Sequence, residues 1–245
     1  MTSISSDSRA DRLQNLLAAH ADRLENAPAQ SVLTWAHETF GPTLCATSSM
    51  ADAVMVHLLA QCAPGTDVLF LDTGVHFPET LAFRSLMAQR YDVRVVDVAW
   101  SSSGARRSEL QGEWARDPEA CCRRRKVDPL NRALAPYDAW VTGIRRAESA
   151  SRRHTRVLDW DERNQVMKIA PLAHWSDDEI RKYVREHALP SHALSESGYT
   201  SIGCAPCTAR PTNDDPRSGR WPGWEKTECG LHQAPAFPAG VVTSR

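Results

Sequence analysis

The chain has 245 residues, 42% of them apolar, and a formal net charge of −1. That length supports one substantial core with an appendage, and the near-neutral balance gives no reason to expect nucleic acid or a membrane surface as partner. No apolar run approaches the roughly 20 residues of a membrane helix, and the polar stretch from Met1 to Arg12 lacks the apolar core of a secretory signal, so the expectation is a cytoplasmic chain.

Leu13, Leu16, Leu17 and Leu24 fall on one stripe at helical spacing, and after Pro28 a second helix is predicted near Val32 to Phe40. Thr43 to Ala46 reads as a short apolar strand, followed by the turn Thr47-Ser48-Ser49 and a helix from Asp52 to Gln61. The order repeats with a strand at Val68 to Leu71, the turn Asp72-Thr73-Gly74, and a helix from Pro78 to Tyr91 with proline in its first turn. Val93 to Val98, Ala139 to Thr142 and Val166 to Ala170 supply further strands. Ser176 and Glu179 have the spacing of a capping box, for a helix running to about His187. Strands alternating with helices predict an α/β fold, a parallel twisted sheet covered on both faces, with ligands at the carboxyl ends of the strands. Beyond Leu189 the periodicity fails, and Ala234 to Arg245 is expected to be disordered. The predicted organisation is N-terminal helices over 1–40, a nucleotide-binding and cysteine-bearing domain over 41–210, and a mobile C-terminal tail over 211–245.

Five of the seven cysteines fall after residue 120 in three tight groups, unlike a disulfide framework. Cys45 and Cys62 stand apart in apolar stretches and read as core. Cys121-Cys122 and Cys204-Ala205-Pro206-Cys207 offer four thiolates to one centre. Thiolate sets select zinc or iron-sulfur clusters, and directly adjacent cysteines tilt the choice towards a cluster with separate iron corners. A redox-active C-x-x-C beside an incidental Cys-Cys pair is the simpler alternative. Cys229 stands alone in Glu228-Cys229-Gly230-Leu231-His232, after a Gly- and Trp-rich stretch. It is a candidate nucleophile if its thiol, normally near a pKa of about 8.5, meets a base or cations. His232 and nearby basic residues are the candidates for that task, and a leftover surface thiol is the alternative.

Basic residues gather at Arg123 to Lys126, at Arg145-Arg146, and at Arg217 and Arg220. Arginine forks clamp phosphate and sulfate oxygens, and Lys126 is placed to lie between the thiols and an anion. Ser48, Ser49 and Asp52 sit at a strand-to-helix turn where hydroxyls and backbone N–H groups could hold phosphate. Neither a dinucleotide glycine fingerprint nor a P-loop is present.

Taken together, Leu71-Asp72-Thr73-Gly74, Cys121-Cys122 with Arg125-Lys126, Val141-Thr142-Gly143-Ile144-Arg145-Arg146, Gly203-Cys204-Ala205-Pro206-Cys207-Thr208 and the terminal Glu228-Cys229-Gly230-Leu231-His232 resemble the assimilatory adenosine 5'-phosphosulfate (APS) reductases, most closely the actinobacterial branch. The resemblance runs from about residue 40 to residue 232. It implies an adenine nucleotide alpha hydrolase-like fold, a 4Fe-4S cluster on Cys121, Cys122, Cys204 and Cys207, and reductive release of sulfite and AMP from APS. Family members acting on the 3'-phosphorylated substrate (PAPS) commonly lack the four cluster cysteines, so their presence favours APS. The family's nucleotide loop usually carries a glycine that Ser48 to Asp52 lacks.

The mechanism expected on this basis has the phosphosulfate held by Ser48, Ser49, Asp52, Lys126, Arg145 or Arg146, Arg217 and Arg220. Cys229 attacks sulfur with His232 nearby, and thioredoxin or a similar dithiol releases sulfite. A homo-oligomer is compatible with the sequence. The competing readings are a PAPS reductase, a zinc-stabilised nucleotide-binding thiolation protein of the PP-loop type, and a non-enzymatic thiol sensor.

Overall fold

The structure, a computed structural model, describes residues 8–100 and 112–232. Six strands form one sheet in the order β3-β2-β1-β4-β6-β5. These are β1 (Leu44–Thr47), β2 (Asp67–Asp72), β3 (Arg94–Ala99), β4 (Ala139–Thr142), β5 (Leu158–Asp161) and β6 (Val166–Ile169). Every neighbouring pair is parallel except β5 and β6, which run antiparallel at one edge. The five strands read from sequence are present within a residue or two. β5 was not anticipated, although Leu158-Asp159-Trp160-Asp161 alternates apolar and polar side chains as an edge strand does.

Side-chain alternation explains why both faces must be covered. Leu44 and Ala46 of β1, Val68 and Phe70 of β2, and Ala139 and Val141 of β4 enter the larger core. Cys45, Leu69 and Trp140 point the other way into a smaller core with Leu130 and Leu134. The larger core is built with α1 (Arg9–Leu24), α2 (Ala29–Phe40), α3 (Val54–Cys62) and α4 (Pro78–Arg90). Cys45 is fully buried and Cys62 packs half-buried against the larger core, as expected of cysteines with no separate chemistry. Two short helices, α5 (Pro118–Cys122) and α6 (Asp128–Ala133), are joined by a π turn over Arg123–Val127. Later come α7 (Asp177–Glu186) and the four-residue α8 (Ala193–Glu196).

Capping chemistry sets the helix starts. Ser176 Oγ accepts from Glu179 N at 3.2 Å and the Glu179 carboxylate accepts from Ser176 N at 2.7 Å, the capping box read from sequence. Ser8 and Asp11 do the same for α1. α3 begins at Val54, two residues later than predicted, because Asp52 accepts from Val54 N at 2.9 Å and holds the preceding loop outside the helix.

The chain lays β1, β2 and β3 to one side and then returns to place β4 on the other flank of β1. Such a reversal opens a crevice beyond the strand ends. Here β1 and β4 finish in step, Thr47 opposite Thr142. Residues 205–232 fold back over this end of the sheet. Ala205 N donates to Val75 O, Ala209 N to Gly219 O, and Trp221 N to Cys207 O. Trp221 is only 2% exposed. The part of the predicted tail from 211 to 232 is therefore docked on the domain in this structure, and 233–245 lie outside the described residues. None of the helices described is long and apolar enough to cross a membrane.

Candidate active site

A cavity of about 760 Å³ opens at the ends of β1, β2 and β4, with Thr47, Leu71 and Thr142 on its wall. Its remaining wall carries Lys126, Arg145, Arg152, Arg217 and Arg220, and the acids Asp52, Glu148 and Asp177. An excess of fixed cations in a concave, partly desolvated site favours an anion.

The loop after β1 reaches the cavity through Ser48, Ser49 and Asp52. Ser48 Oγ accepts from Met50 N at 3.1 Å, and Met50 takes φ +55, a left-handed conformation usually left to glycine. The loop thus makes its turn without the family's glycine. Desolvation pushes the Asp52 carboxyl above its ordinary value, partly offset by its bond to Val54 N.

The four paired cysteines come together. Asp117 caps α5, leaving Cys121 and Cys122 in its last turn. Cys122, Cys204 and Cys207 pack in one buried group against Trp221, with Cys229 at its edge. Cys121 lies close enough for its charge to act with those of Cys122 and Cys204. The Leu71-Asp72-Thr73-Gly74 turn locks the two halves together: Cys204 Sγ donates to Thr73 Oγ1 at 3.4 Å, and Arg125 Nη1 donates to Thr73 O at 2.6 Å while lying over Trp100. Burial pushes Cys121 up to about 12 and Cys207 up to about 11. Burial acts the same way on Cys204, but Lys126, the Thr73 hydrogen bond and Arg220 outweigh it, and this thiol is pulled below its ordinary value. Burial alone would lower Lys126, yet the sulfurs of Cys204, Cys229 and Cys122 hold its ammonium above the ordinary range.

Four thiols from two segments on one buried spot form a soft, all-sulfur donor set suited to iron-sulfur or zinc chemistry. Among the described residues no group of three or more His, Cys, Asp or Glu side chains is arranged to hold a single metal ion.

Cys229 is half-buried and lines the cavity, near Cys122 and Lys126. Its neighbour Glu228 is 7% exposed and is tied to the segment after β4 by several side-chain bonds. The Glu228 carboxylate accepts from Arg152 Nε at 2.8 Å and Nη2 at 2.7 Å, from Ser149 Oγ at 3.0 Å and from Ser151 Oγ at 3.1 Å. Arg152 also pairs with Glu148. Burial would raise Glu228, but Arg152 and Arg217 hold it below the usual carboxylate range.

The residues expected at the site divide. Ser48, Ser49, Asp52, Lys126, Arg145, Arg217, Arg220, Cys229 and His232 all reach the cavity. Several of the cations are already engaged there. Arg145 pairs with Asp177 at 2.8 Å, Arg220 lies over Trp221 and donates to Ser201 Oγ at 3.3 Å, and Arg217 donates to Thr227 O at 2.8 Å and reaches Glu228 at 3.4 Å. Arg146 is not brought in. Its guanidinium donates to Thr155 O at 2.7 Å and to Glu25, the cap of α1, at 2.5 Å, and Arg146 opens a 3-10 turn that aims it away from the cavity. His232 is present but unsuited to the role expected of it. The ring stacks on Trp140 at 5.6 Å. Burial first, then Lys168, Arg152 and Arg217, push its pKa well below ordinary, so it is a neutral imidazole and a poor base. Arg152, Glu148 and Glu228 were missed as site residues, although Arg152 sits in the basic run Ser151-Arg152-Arg153-His154 and Glu228 inside the terminal motif.

Comparison with known proteins places these features in a family. The phosphoadenosine phosphosulfate reductase domain matches residues 43–210. An adenosine 5'-phosphosulfate reductase of Streptomyces coelicolor is 45% identical over 235 residues, 95% of this chain and 100% of that protein. One from Mycobacteroides abscessus is 47% identical, covering 91% of this chain and 95% of the relative. Among solved structures, a phosphoadenylyl-sulfate (PAPS) reductase from Candida auris, in a phosphate complex, aligns with TM-score 0.67 at 27% identity over 85% of this chain and 100% of that one. The FMN adenylyltransferase of Candida glabrata shares the fold, with TM-score 0.54 at 18% identity over 86% of this chain and 70% of that one.

Proposed function

Since the chain belongs to the phosphoadenosine phosphosulfate reductase domain family and is an oxidoreductase, we propose that it reduces APS to sulfite and AMP by attack of Cys229 on the sulfate sulfur. The observation that carries this is the Cys229 thiol on the wall of a cation-lined cavity at the strand ends, next to Lys126. Relatives at 45% and 47% identity that bear the APS reductase name support the substrate without a 3'-phosphate.

In this scheme the Cys229 thiolate forms a sulfur–sulfur bond to the sulfuryl group while the bond from sulfur to the phosphate oxygen breaks, and AMP leaves. The difficult transfer is thereby split in two. A dithiol such as thioredoxin, with a potential of roughly −270 mV, then attacks Cys229 Sγ of the S-sulfocysteine. Sulfite departs with the electron pair, and the partner's second thiol resolves the mixed disulfide, returning Cys229 to a thiol. Lys126 and Arg220 neutralise the substrate's anion, and the serines of the β1 loop orient its phosphate. Cys121, Cys122, Cys204 and Cys207 would hold a 4Fe-4S cluster, which would supply a rigid base for Lys126 and, with its four thiolates, the negative charge that keeps the ammonium protonated.

The test is incubation with APS radiolabelled in sulfur. Wild-type protein should retain label on Cys229 until a dithiol is added, and Cys229→Ser should retain none. A labelled Cys229→Ser adduct would rule out the assigned nucleophile. Anaerobic preparation should give brown protein with iron and sulfide, lost on Cys204→Ser. A colourless preparation with stoichiometric zinc would remove the cluster from the proposal.

A further inference from the structure

Glu228 takes no part in the chemistry just described, yet its contacts are the densest on the tail. Two nitrogens of Arg152 and two serine hydroxyls converge on a carboxylate that is 7% exposed. The serines and Arg152 belong to one short segment after β4, so the acceptor for this group of donors is supplied from the far end of the chain. Cys229 is the next residue. The flanks are held as well: Lys226 pairs with the exposed Glu119 and lies over Trp221, Arg163 reaches Gly230 O at 3.4 Å, and His232 stacks on Trp140. The Glu228 pair differs in being an ion pair, directly beside Cys229, with both side chains buried.

We propose that Glu228 is a positioning residue that, through its fork with Arg152, fixes the Cys229 thiol at the cavity wall. The inference rests on the reading of Cys229 as the nucleophile. A peptide backbone anchored at one position leaves its neighbour few ways to point, so a buried bidentate pair one residue away sets the thiol's direction, which a flexible tail would not. Preorganised geometry of this kind raises the rate of attack without adding affinity for the substrate. The carboxylate also holds Arg152, which Glu148 pairs as well, and reaches Arg217, both of them cations on the cavity wall. Glu228 therefore assigns Arg152 to the protein and leaves Lys126 and Arg220 to the substrate.

The experiment uses the full chain with Glu228→Gln, which keeps the shape and loses the charge, and Glu228→Ala. First, alkylation of Cys229 by iodoacetamide without substrate is followed on its own peptide by mass spectrometry. Release of the anchor should speed it at least about fivefold, and an unchanged rate overturns the proposal whether or not Cys229 is the nucleophile. Second, single-turnover formation of the labelled Cys229 adduct should fall at least about tenfold with AMP affinity within about threefold, the split expected when geometry and not binding is lost. A loss carried wholly by AMP affinity overturns the proposal, because Glu228 would then serve only to shape the substrate's site. If both variants unfold, Arg152→Lys, which retains the charge but not the fork, must give the same two results, and a wild-type pattern overturns it. The Cys229→Ser labelling experiment addresses the nucleophile alone, so the two readings fail separately.

Discussion

Arg152 and Glu228, 76 residues apart in the chain, meet through two hydrogen bonds of 2.8 and 2.7 Å with side chains only 12% and 7% exposed. A pair this well buried contributes little net stability while intact, but removing one partner strands the other charge away from water. Arg152→Ala should therefore destabilise the protein by about 3 kcal/mol, the lower part of the range for a broken buried pair, since Ser149, Ser151 and Arg217 still reach the carboxylate. Urea unfolding monitored by fluorescence would measure it. A change under about 0.5 kcal/mol, the scale of an exposed pair, would mean that water replaces the arginine freely.

Acid should weaken the fold before the carboxylates titrate. His57, His192 and His232 are all held below their ordinary pKa of 6.5, in each case chiefly by burial. His192 Nδ1 accepts from Leu194 N at 3.1 Å, a bond available only to the neutral ring. Below 6.5 the unfolded chain takes up protons that the folded protein refuses, so stability is full above that pH and falls as pH drops through it towards the folded values. Glu228 behaves differently. Its folded pKa is depressed, so its contribution is present above the unfolded value of 4.5 and is lost as pH falls through the folded value. Unfolding free energies at pH 7.5, 6 and 5 should decline across the upper window. A flat profile there would contradict the histidine assignment.

Lys126→Gln should lower kcat/KM for sulfite release by about 100-fold, the usual loss when one donor to a developing charge is removed. The side chain lies between the thiol group and the cavity, and its ammonium is stabilised by the sulfurs of Cys204, Cys229 and Cys122. Arg146→Gln, whose guanidinium lies outside the cavity on Glu25, should leave kcat/KM within about twofold. Equal losses in the two variants would mean that bulk charge, not placement, is what matters.

Gly219→Ala should destabilise the loop that carries Cys207 and Trp221. A Cβ at Gly219 would come within 2.1 Å of the Ala209 carbonyl oxygen, a backbone atom with no room to retreat. About 1–3 kcal/mol of strain is expected, read as a lower thermal midpoint and faster proteolysis after Arg210. Gly203→Ala makes a useful contrast, because its Cβ would meet the end of the Arg220 side chain, which can swing aside. That variant should keep its stability and lose activity.

The sheet was legible because its signal is local: Leu44 to Thr47 and Ala139 to Thr142 are short apolar runs followed by polar turns, as buried parallel strands require. The thiol pairs were legible from spacing, and the terminal motif from resemblance. What escaped depends on distant partners. Nothing near Glu228 in sequence tells that its carboxylate meets Arg152, and nothing near His232 tells that it is buried on Trp140 of β4 and faces Lys168, Arg152 and Arg217, which together lower its basicity. Arg145 and Arg146 look equivalent in sequence, but the 3-10 turn that begins at Arg146 aims the two guanidinium groups at different partners.

The π turn from Arg123 to Val127 carries a consequence for how this region can evolve. It stands between Cys122 and α6, so it fixes the rotational phase at which Lys126 leaves the thiol-bearing helix. Each helical residue advances the chain by about 100°. Losing one residue here would aim Lys126 away from the cavity while leaving both flanking helices intact. Length is thus constrained where composition is looser: the exposed Arg123 can be exchanged, whereas Arg124 is held by its pair with the buried Glu113, and the spacing between Cys122 and Asp128 cannot drift.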